Sequence, residues 1–410
     1  MLILILNAGS TSMKFKLYDM SAGARVLAQG NCQRVGLKDS EIKFIGPSGE
    51  KHELLMDLAD HQQAMDLTLR LLSQGDTAVI DGVEKLDAIG HRVAVGGPKM
   101  VKSALIDGYV VAEIEKYAQA APLHTPLQVA TIRACRKLLG DGFPMVAGFD
   151  TAFHQTMPKE VYFCPIPYEF YEDYGMRRMG YHGLSHQYIV ERYAELTGEN
   201  LQGTRIVSCH LGGGSSLSAV KDGKSMDNTL GFGTGEGLMC GTRAGTFDHS
   251  AIAHLIEVTG KDFCEIEEIL QRRSGLLGVS GISSDAKELE DHAAKGNERA
   301  RLALDMLSVQ IKKYIGAYAF LMGGLDTVLF AGGIGENSVH MRESVCEGLE
   351  GLGIRLDKQL NAALNRREGR ISAEGSPVEL WVIPTNEELV IARDTLDIVR
   401  ALKKCYNGNS

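Results

Sequence analysis

The sequence predicts a mixed α/β fold built around a repeated strand–turn unit, on three observations. Short apolar runs bounded by Gly, Asp or Pro alternate with segments of helical period. Three of these runs stop at turns of glycine and small hydroxyl residues, and the 410 residues include 47 Gly against 10 Pro, as a chain of many tight turns requires. The first run, Leu2 to Leu6, ends at Asn7-Ala8-Gly9-Ser10-Thr11-Ser12-Met13-Lys14. The second, Ile206 to Leu211, is followed by Gly212-Gly213-Gly214-Ser215-Ser216, and the third, Thr327 to Phe330, by Ala331-Gly332-Gly333-Ile334-Gly335-Glu336-Asn337. Small residues at a strand end let backbone N–H groups approach an anion, while Ser and Lys side chains add donors and charge. Matching Leu6 to Thr11 on Leu211 to Ser216 gives one strand–turn–strand unit per half, which places a nucleotide between two related lobes. Ordinary Gly/Ser hairpins account equally well for either of the first two turns alone, and a tight strand–helix connection for the third. None of the three has the G-x-G-x-x-G spacing or the Gly-Lys-Ser/Thr close of the commonest nucleotide motifs.

Strands are expected at Leu2 to Leu6, Met13 to Tyr18, Ala88 to His91, Met145 to Gly148, Ile206 to His210, Ser216 to Val220, Val328 to Phe330 and Leu380 to Ile383. Helices fit between them. From Asp285 to about Phe320, Leu289, Ala293, Leu302, Leu304, Leu307, Ile311, Ile315 and Tyr318 recur at helical spacing, with a break near Gly296; another helix is expected near Ser338. Asn386 to Leu402 reads as a closing helix with Thr385 as N-cap and Glu387 and Glu388 in its first turn, where acidic groups suit the helix dipole.

The length favours two domains, with a boundary near Phe149-Asp150. A net charge of −9 offers no general attraction for nucleic acid or an anionic membrane, so an anionic substrate must meet locally placed Arg and Lys. The 8 cysteines form no Cys-x-x-Cys pair and read as reduced core thiols in a cytoplasm. The start lacks the basic leader and cleavage site of a signal peptide, and no apolar stretch approaches the ~20 residues that span a bilayer.

Polar clusters lie between the turns: Gly90-His91-Arg92-Val93, Pro122-Leu123-His124, Gly148-Phe149-Asp150-Thr151-Ala152-Phe153-His154, Met179-Gly180-Tyr181-His182-Gly183 and Gly241-Thr242-Arg243-Ala244-Gly245. Each sets a charged or imidazole side chain among small or apolar neighbours. Singly, such a His is more often a satisfied core residue and such an Arg a surface ion pair; jointly, beside three phosphate-type turns, they call for another explanation.

These strings, with Glu236-Gly237-Leu238-Met239 and Thr385-Asn386-Glu387-Glu388-Leu389, resemble the acetate and butyrate kinase family of the actin, sugar-kinase and heat-shock ATPase superfamily over nearly the whole chain. The resemblance implies two ribonuclease-H-like domains, 1–150 with 385–410 and 151–384, with a nucleotide-binding cleft between them. It also implies a homodimer and reversible, ATP-dependent phosphorylation of a short carboxylate to its acyl phosphate, with Mg²⁺, or Mn²⁺ as a substitute. By the same resemblance Arg92, His124, Asp150, His182 and Arg243 are the catalytic positions, and Asn7 and Glu387, in company with Asp150, the metal positions. Ser10, Ser12 and Lys14 fall on the amino-terminal phosphate loop. His210, Gly212, Gly213, Gly214, Asp285, Ala286, Lys287, Gly332, Gly333, Ile334, Gly335, Glu336 and Asn337 fall on the nucleotide site, and Val93, Leu123, Tyr181 and Thr234 on the acceptor pocket.

The chemistry follows from charge. A carboxylate of pKa about 4 to 5 is already ionised at neutral pH and needs no base, so the obstacle is its repulsion from a triphosphate. Catalysis becomes positioning plus neutralisation of the equatorial oxygens, for which two forked guanidinium groups are suited. The chain departs from the family pattern at Val95 (His), Thr125 (Asn), Gly213 (Asn), Lys287 (Arg), Tyr181 (Phe) and Gly233-Thr234-Gly235, where Thr-Pro-Leu is usual. A weaker or shifted nucleotide contact follows, with Ser215 compensating, together with a roomier or more polar acceptor pocket open to propionate, butyrate or a hydroxy-acid. A sugar or polyol kinase with Asp150 as base, and an actin-like nucleotide-binding module without turnover, are the competing readings.

Overall fold

The computed structural model describes residues 1–21, 23–122, 124–364 and 367–407. The chain forms two compact units, residues 1–152 with 386–410 and residues 153–385.

The first unit is organised on β1 (Leu2–Ala8), β2 (Ser12–Asp19), β3 (Arg25–Gln33), β4 (Ser40–Ile45), β5 (Lys51–Met56), β6 (Ala88–Val93), β7 (Ala104–Leu105) and β8 (Met145–Phe149), in the order β5-β4-β3-β2-β1-β6-β8-β7. β1 to β5 form an antiparallel meander, whereas β1, β6 and β8 run parallel. The nearly continuous apolar run of β1 belongs to a strand covered on both faces. On one face lies a core that includes Leu4, Leu6, Ile89, Val93, Ile132 and Phe149. The other is crossed by the C-terminal helix, Glu387–Asn407, and that crossing depends on glycine. A Cβ on Gly90 or Gly148 would stand 2.6 or 2.8 Å from Ile391 of the helix.

The second unit repeats the plan with β9 (Arg205–Leu211), β10 (Ser215–Lys221), β11 (Lys224–Asn228), β12 (Thr327–Ala331), β13 (Gly369–Arg370) and β14 (Glu379–Val382), ordered β11-β10-β9-β12-β14-β13. β9, β10 and β11 are antiparallel, and β9, β12 and β14 parallel. Thus β3-β2-β1-β6-β8 and β11-β10-β9-β12-β14 share order and direction. The repeat is real, but its register differs from the sequence match. Strand ends pair Ala8 with Leu211 and Ser12 with Ser215, two residues away from the alignment of Leu6 on Leu211.

Three local expectations change. Gly332 to Asn337 is itself a short helix rather than a turn, and Ser338 caps the next, Val339–Cys346. The closing helix begins at Glu387, so Thr385 lies one residue before the capping position, and its hydroxyl is bonded to that of Ser185 at 2.7 Å. The meander β3 to β5 was not anticipated, because its alternation is broken by exposed Leu54, Leu55 and Met56 on the edge strand. The helical run around Gly296 divides as expected, into Ala286–Ala294 and Glu298–Met322.

Candidate active site

In the first unit, parallel pairing sets the ends of β6 and β8 side by side, with the Asp150 N–H donating to the Val93 carbonyl at 2.9 Å. Arg92 and Asp150 therefore emerge together. The guanidinium grips the carboxylate with both forks, Nη2 to Oδ2 at 2.7 Å and Nε to Oδ1 at 3.1 Å. Glu387, delivered by the first turn of the C-terminal helix, adds Oε2 at 3.3 Å from Nε, and Asn7 Oδ1 lies 3.5 Å from Nη1. Two carboxylates thus face one cation. Burial pushes Asp150 up to about 6 against the pull of Arg92, with the Glu387 charge pushing the same way as burial. Burial would lower Arg92, but Asp150 and Glu387 outweigh it and hold the guanidinium above its ordinary value.

The remaining site residues expected in the first unit are less concentrated. Lys14 is exposed opposite Asn7 in the β1–β2 ladder, Ser10 is exposed, and Ser12 is half-buried at the start of β2. His61, which sequence reasoning passed over, steadies this loop through Nε2 at 2.9 Å from the Gly9 carbonyl oxygen. His124 is exposed at the N-cap position of the helix Thr125–Leu139. Val93 is fully buried in the unit's core, and Leu123 lies outside the described residues.

The second unit gathers most of the residues expected at the nucleotide site around one cavity of about 610 Å³. Gly212, Gly213, Asp285, Ala286, Lys287, Gly333, Ile334 and Asn337 all line it, with Ser284, Glu290 and Ser338. Gly332 must be glycine: its φ is +76°, and a Cβ would meet the Leu211 carbonyl oxygen at 2.5 Å. Other expected site residues serve the walls. The Glu336 Oε1 accepts from the Gly332 and Thr385 N–H groups at 2.9 and 3.1 Å, and the Gly335 carbonyl accepts from buried Arg342 at 2.8 Å. Asp285 caps the helix Ala286–Ala294, and Lys287 reaches Asp291 at 3.0 Å. Ser215 is fully buried and bonded within its own loop, to Gly212, so its hydroxyl is turned inward rather than compensating at the phosphate loop.

At Gly214 two further expected site residues meet. A Cβ built there would lie 2.9 Å from Arg243 Nη2 and 3.4 Å from His182 Nε2, so both groups converge on space left by the missing side chain. Arg243 has no carboxylate within ion-pair distance among the described residues; its Nη2 contacts Cys240 Sγ at 3.5 Å, and its buried Nε has no hydrogen-bond partner. His182 sits at φ +57°, just before the helix Gly183–Thr197, an uncommon conformation for a non-glycine residue. Its ring stacks on His210 at 4.4 Å between centroids. His210 in turn bonds Ser185 Oγ through Nδ1 at 2.7 Å. Tyr181 is buried, its hydroxyl donating to the Phe232 carbonyl at 2.7 Å, and Thr234 is half-buried in the loop that follows β11.

Sequence reasoning missed the support beneath these groups: His186, Ser208, Ser216 and Arg342. A signal existed for the first three. His186 stands one helical turn after His182, and Ser208-x-His210 and Ser216-x-Ser218 put hydroxyl or imidazole groups on alternate strand positions.

The doubled sheet plan and the glycine-lined cavity describe a mixed α/β protein of two compact units, with an arginine that meets no carboxylate among the described residues. The chain belongs to the Acetokinase family, whose model matches residues 2–393. It is 45% identical to the acetate kinase of Halothermothrix orenii over 402 residues, 98% of this chain and 100% of that protein. Among solved structures, it is similar to Porphyromonas gingivalis acetate kinase (TM-score 0.92, 43% identity, 97% and 99% of the two chains covered). A propionate kinase from Francisella tularensis is also similar, with TM-score 0.89, 35% identity and the same coverage of 97% and 99%.

Proposed function

We propose that this protein is an acetate kinase: it transfers the γ-phosphoryl group of ATP to acetate, reversibly, forming acetyl phosphate and ADP. The observation that carries the reading is Arg243, a guanidinium with a buried, unpartnered Nε, meeting His182 at Gly214 in the turn that lines the 610 Å³ cavity. A carboxylate oxygen attacks the γ-phosphorus, the bond to the bridging oxygen breaks, and ADP leaves with the electron pair. No proton need be removed, so what is required is neutralisation of the transferring group, the task Arg243 and His182 suit. The 153–385 unit supplies these groups and the nucleotide cavity. The 1–152 and 386–410 unit supplies Arg92, Asp150, Glu387 and Asn7, with His124 as a further donor. We read the two units as the two ribonuclease-H-like domains.

Asp150, Glu387 and Asn7 fit Mg²⁺: two carboxylates around one guanidinium leave one negative charge in excess, with the Asn7 amide oxygen beside them. No group of three His, Cys, Asp or Glu forms a ready-made metal site among the described residues, as suits an ion held by one or two carboxylates, water and phosphate. When bound, Mg²⁺ would neutralise phosphate oxygens.

Propionate is the second acceptor this reading admits, because Gly233-Thr234-Gly235 puts two glycines and a half-buried Thr234 where the resemblance expects Thr-Pro-Leu. Homodimerisation belongs to the same proposal. The helix Glu298–Met322 exposes Leu302, Met306, Val309 and Phe320, spaced to share one face, and sedimentation should report two chains. A cytoplasmic location fits the 8 free cysteines, and no helix among the described residues is long and apolar enough to cross a membrane. The deciding experiment is a hydroxylamine trap with Mg²⁺-ATP and acetate, propionate, butyrate or glycolate. Hydroxamate from acetate is expected, with propionate within about 200-fold in kcat/KM. Its absence with every acid would reject the reading.

A further inference from the structure

Behind His182 runs a buried line of hydrogen bonds. Ser216 Oγ lies 2.9 Å from His182 Nδ1 and 2.8 Å from His186 Nε2, and His186 Nδ1 lies 2.9 Å from Ser208 Oγ. Ser208, Ser216 and His186 are each fully buried, held between the helix Gly183–Thr197 and strands β9 and β10. Burial drives His186 well below its ordinary value, and the neighbouring His154 and His210 push it further, so this ring is neutral and carries a single N–H.

Only one direction satisfies the whole line. Suppose His182 carried its proton on Nδ1 and donated to Ser216. The Ser216 hydroxyl would then donate to His186 Nε2, and His186 Nδ1–H to Ser208. The buried Ser208 hydrogen would be left with no acceptor, since His186 is its hydrogen-bond partner among the described residues. In the reverse direction every hydrogen is used: Ser208 O–H donates to His186 Nδ1, His186 Nε2–H to Ser216 Oγ, and Ser216 O–H to His182 Nδ1. The remaining His182 proton is then on Nε2, the atom that faces Arg243 across Gly214.

We propose that Ser216 and His186 are positioning residues that lock His182 in its Nε2–H tautomer, so that it presents a hydrogen-bond donor, never a lone pair, to the transferring phosphoryl group. The inference rests on the phosphoryl-transfer reading for its consequence, but not for the tautomer itself. A lone pair at Nε2 would repel the equatorial oxygens, whereas a preset donor requires no reorganisation as charge develops.

Histidine-selective ¹⁵N labelling of the full chain, with ring cross-peaks assigned by His182→Gln and His186→Gln, tests the tautomer directly. The expected spectrum shows His182 protonated at Nε2 and His186 neutral at Nε2–H; His182 protonated at Nδ1 would overturn the proposal, whether or not the protein makes acyl phosphate. Ser216→Ala should lower kcat about 10- to 100-fold while the KM for ATP and for the carboxylate changes less than about threefold, and Ser216→Thr should recover most of the loss. Ser208→Ala, two hydrogen bonds away from His182, should cut kcat severalfold and give mixed His182 tautomers. Unchanged kcat and tautomer in both alanine variants, or equal effects on kcat and KM, would reduce the line to packing. Should Ser216→Ala fail to fold, the wild-type spectrum and Ser208→Ala decide alone.

Discussion

The two arginines that resemble each other in sequence, each next to small or apolar residues, have opposite surroundings in the fold. Arg92 is gripped by Asp150 through both forks, touched by Glu387 and flanked by Asn7, so its immediate environment is net negative. Among the described residues Arg243 has no carboxylate within ion-pair distance: its Nη2 contacts the Cys240 thiol, His182 approaches across Gly214, and its buried Nε has no hydrogen-bond partner. An arginine already balanced by two carboxylates contributes little free positive charge to an incoming anion; it orders its carboxylates. An unbalanced one carries an unmet electrostatic demand until an anion arrives. Under the proposed phosphoryl-transfer reading, the contrast favours Arg243 for phosphoryl neutralisation and Arg92 for organising an acidic, metal-suited group.

Removing the uncompensated charge should break that contrast most severely. Arg243→Ala is expected to lower kcat by about 10³-fold or more while ADP affinity, measured by calorimetry, changes only severalfold; comparable losses in both would return Arg243 to simple nucleotide binding. Asp150→Asn strips Arg92 of its bidentate partner. Activity should fall roughly 10- to 100-fold with a higher Mg²⁺ requirement, while the melting temperature at neutral pH should not fall, because burial makes the Asp150 charge a cost that the neutral amide avoids and Glu387 still pairs Arg92.

The same carboxylate gives the contrast a pH signature with two signs. With Asp150 raised to about 6, activity that needs its ionised form should be full above that value and fall as the pH drops through it. Its contribution to stability runs the other way, present below the ordinary carboxylate range and lost as the pH rises through about 6. An acid limb in the rate profile that survives Asp150→Asn would detach the titration from this residue.

Smaller effects sharpen the nucleotide side. Gly332→Ala puts a Cβ against the Leu211 carbonyl at positive φ and should raise the KM for ATP about tenfold, leaving the KM for acetate nearly unchanged. Lys287→Arg supplies a forked donor at the cavity wall, and about two- to threefold tighter ADP binding is expected. No change there would mean that the Lys287 contact with Asp291 keeps the side chain off the nucleotide.

Much of this architecture was legible before any coordinates. The strands at Leu2, Ala88, Met145, Ile206 and Thr327 announce themselves as apolar runs stopped by glycine or polar residues, because central parallel strands are covered on both faces. The closing helix follows from periodicity and its acidic first turn, though not from Thr385 as its cap, and the break falls at Gly296 as expected. The edge meander did not show, since an edge strand exposing Leu54 and Leu55 lacks the alternation of a half-buried one. Glu336 was read as a nucleotide contact from its place in the glycine string, yet its carboxylate holds Gly332 and Thr385, a role set by a partner 49 residues away.

What the sequence alone determined was local: which segments are strands and helices, where backbone must approach closely, and which residue types stand at strand ends. The tertiary structure decided how those groups are paired. Charge balance at Arg92 depends on a helix from the far end of the chain, and the line of hydrogen bonds behind His182 on serines from two neighbouring strands. Electrostatic interaction and hydrogen bonding depend on distance through space and on desolvation, and neither quantity is a function of separation along the chain.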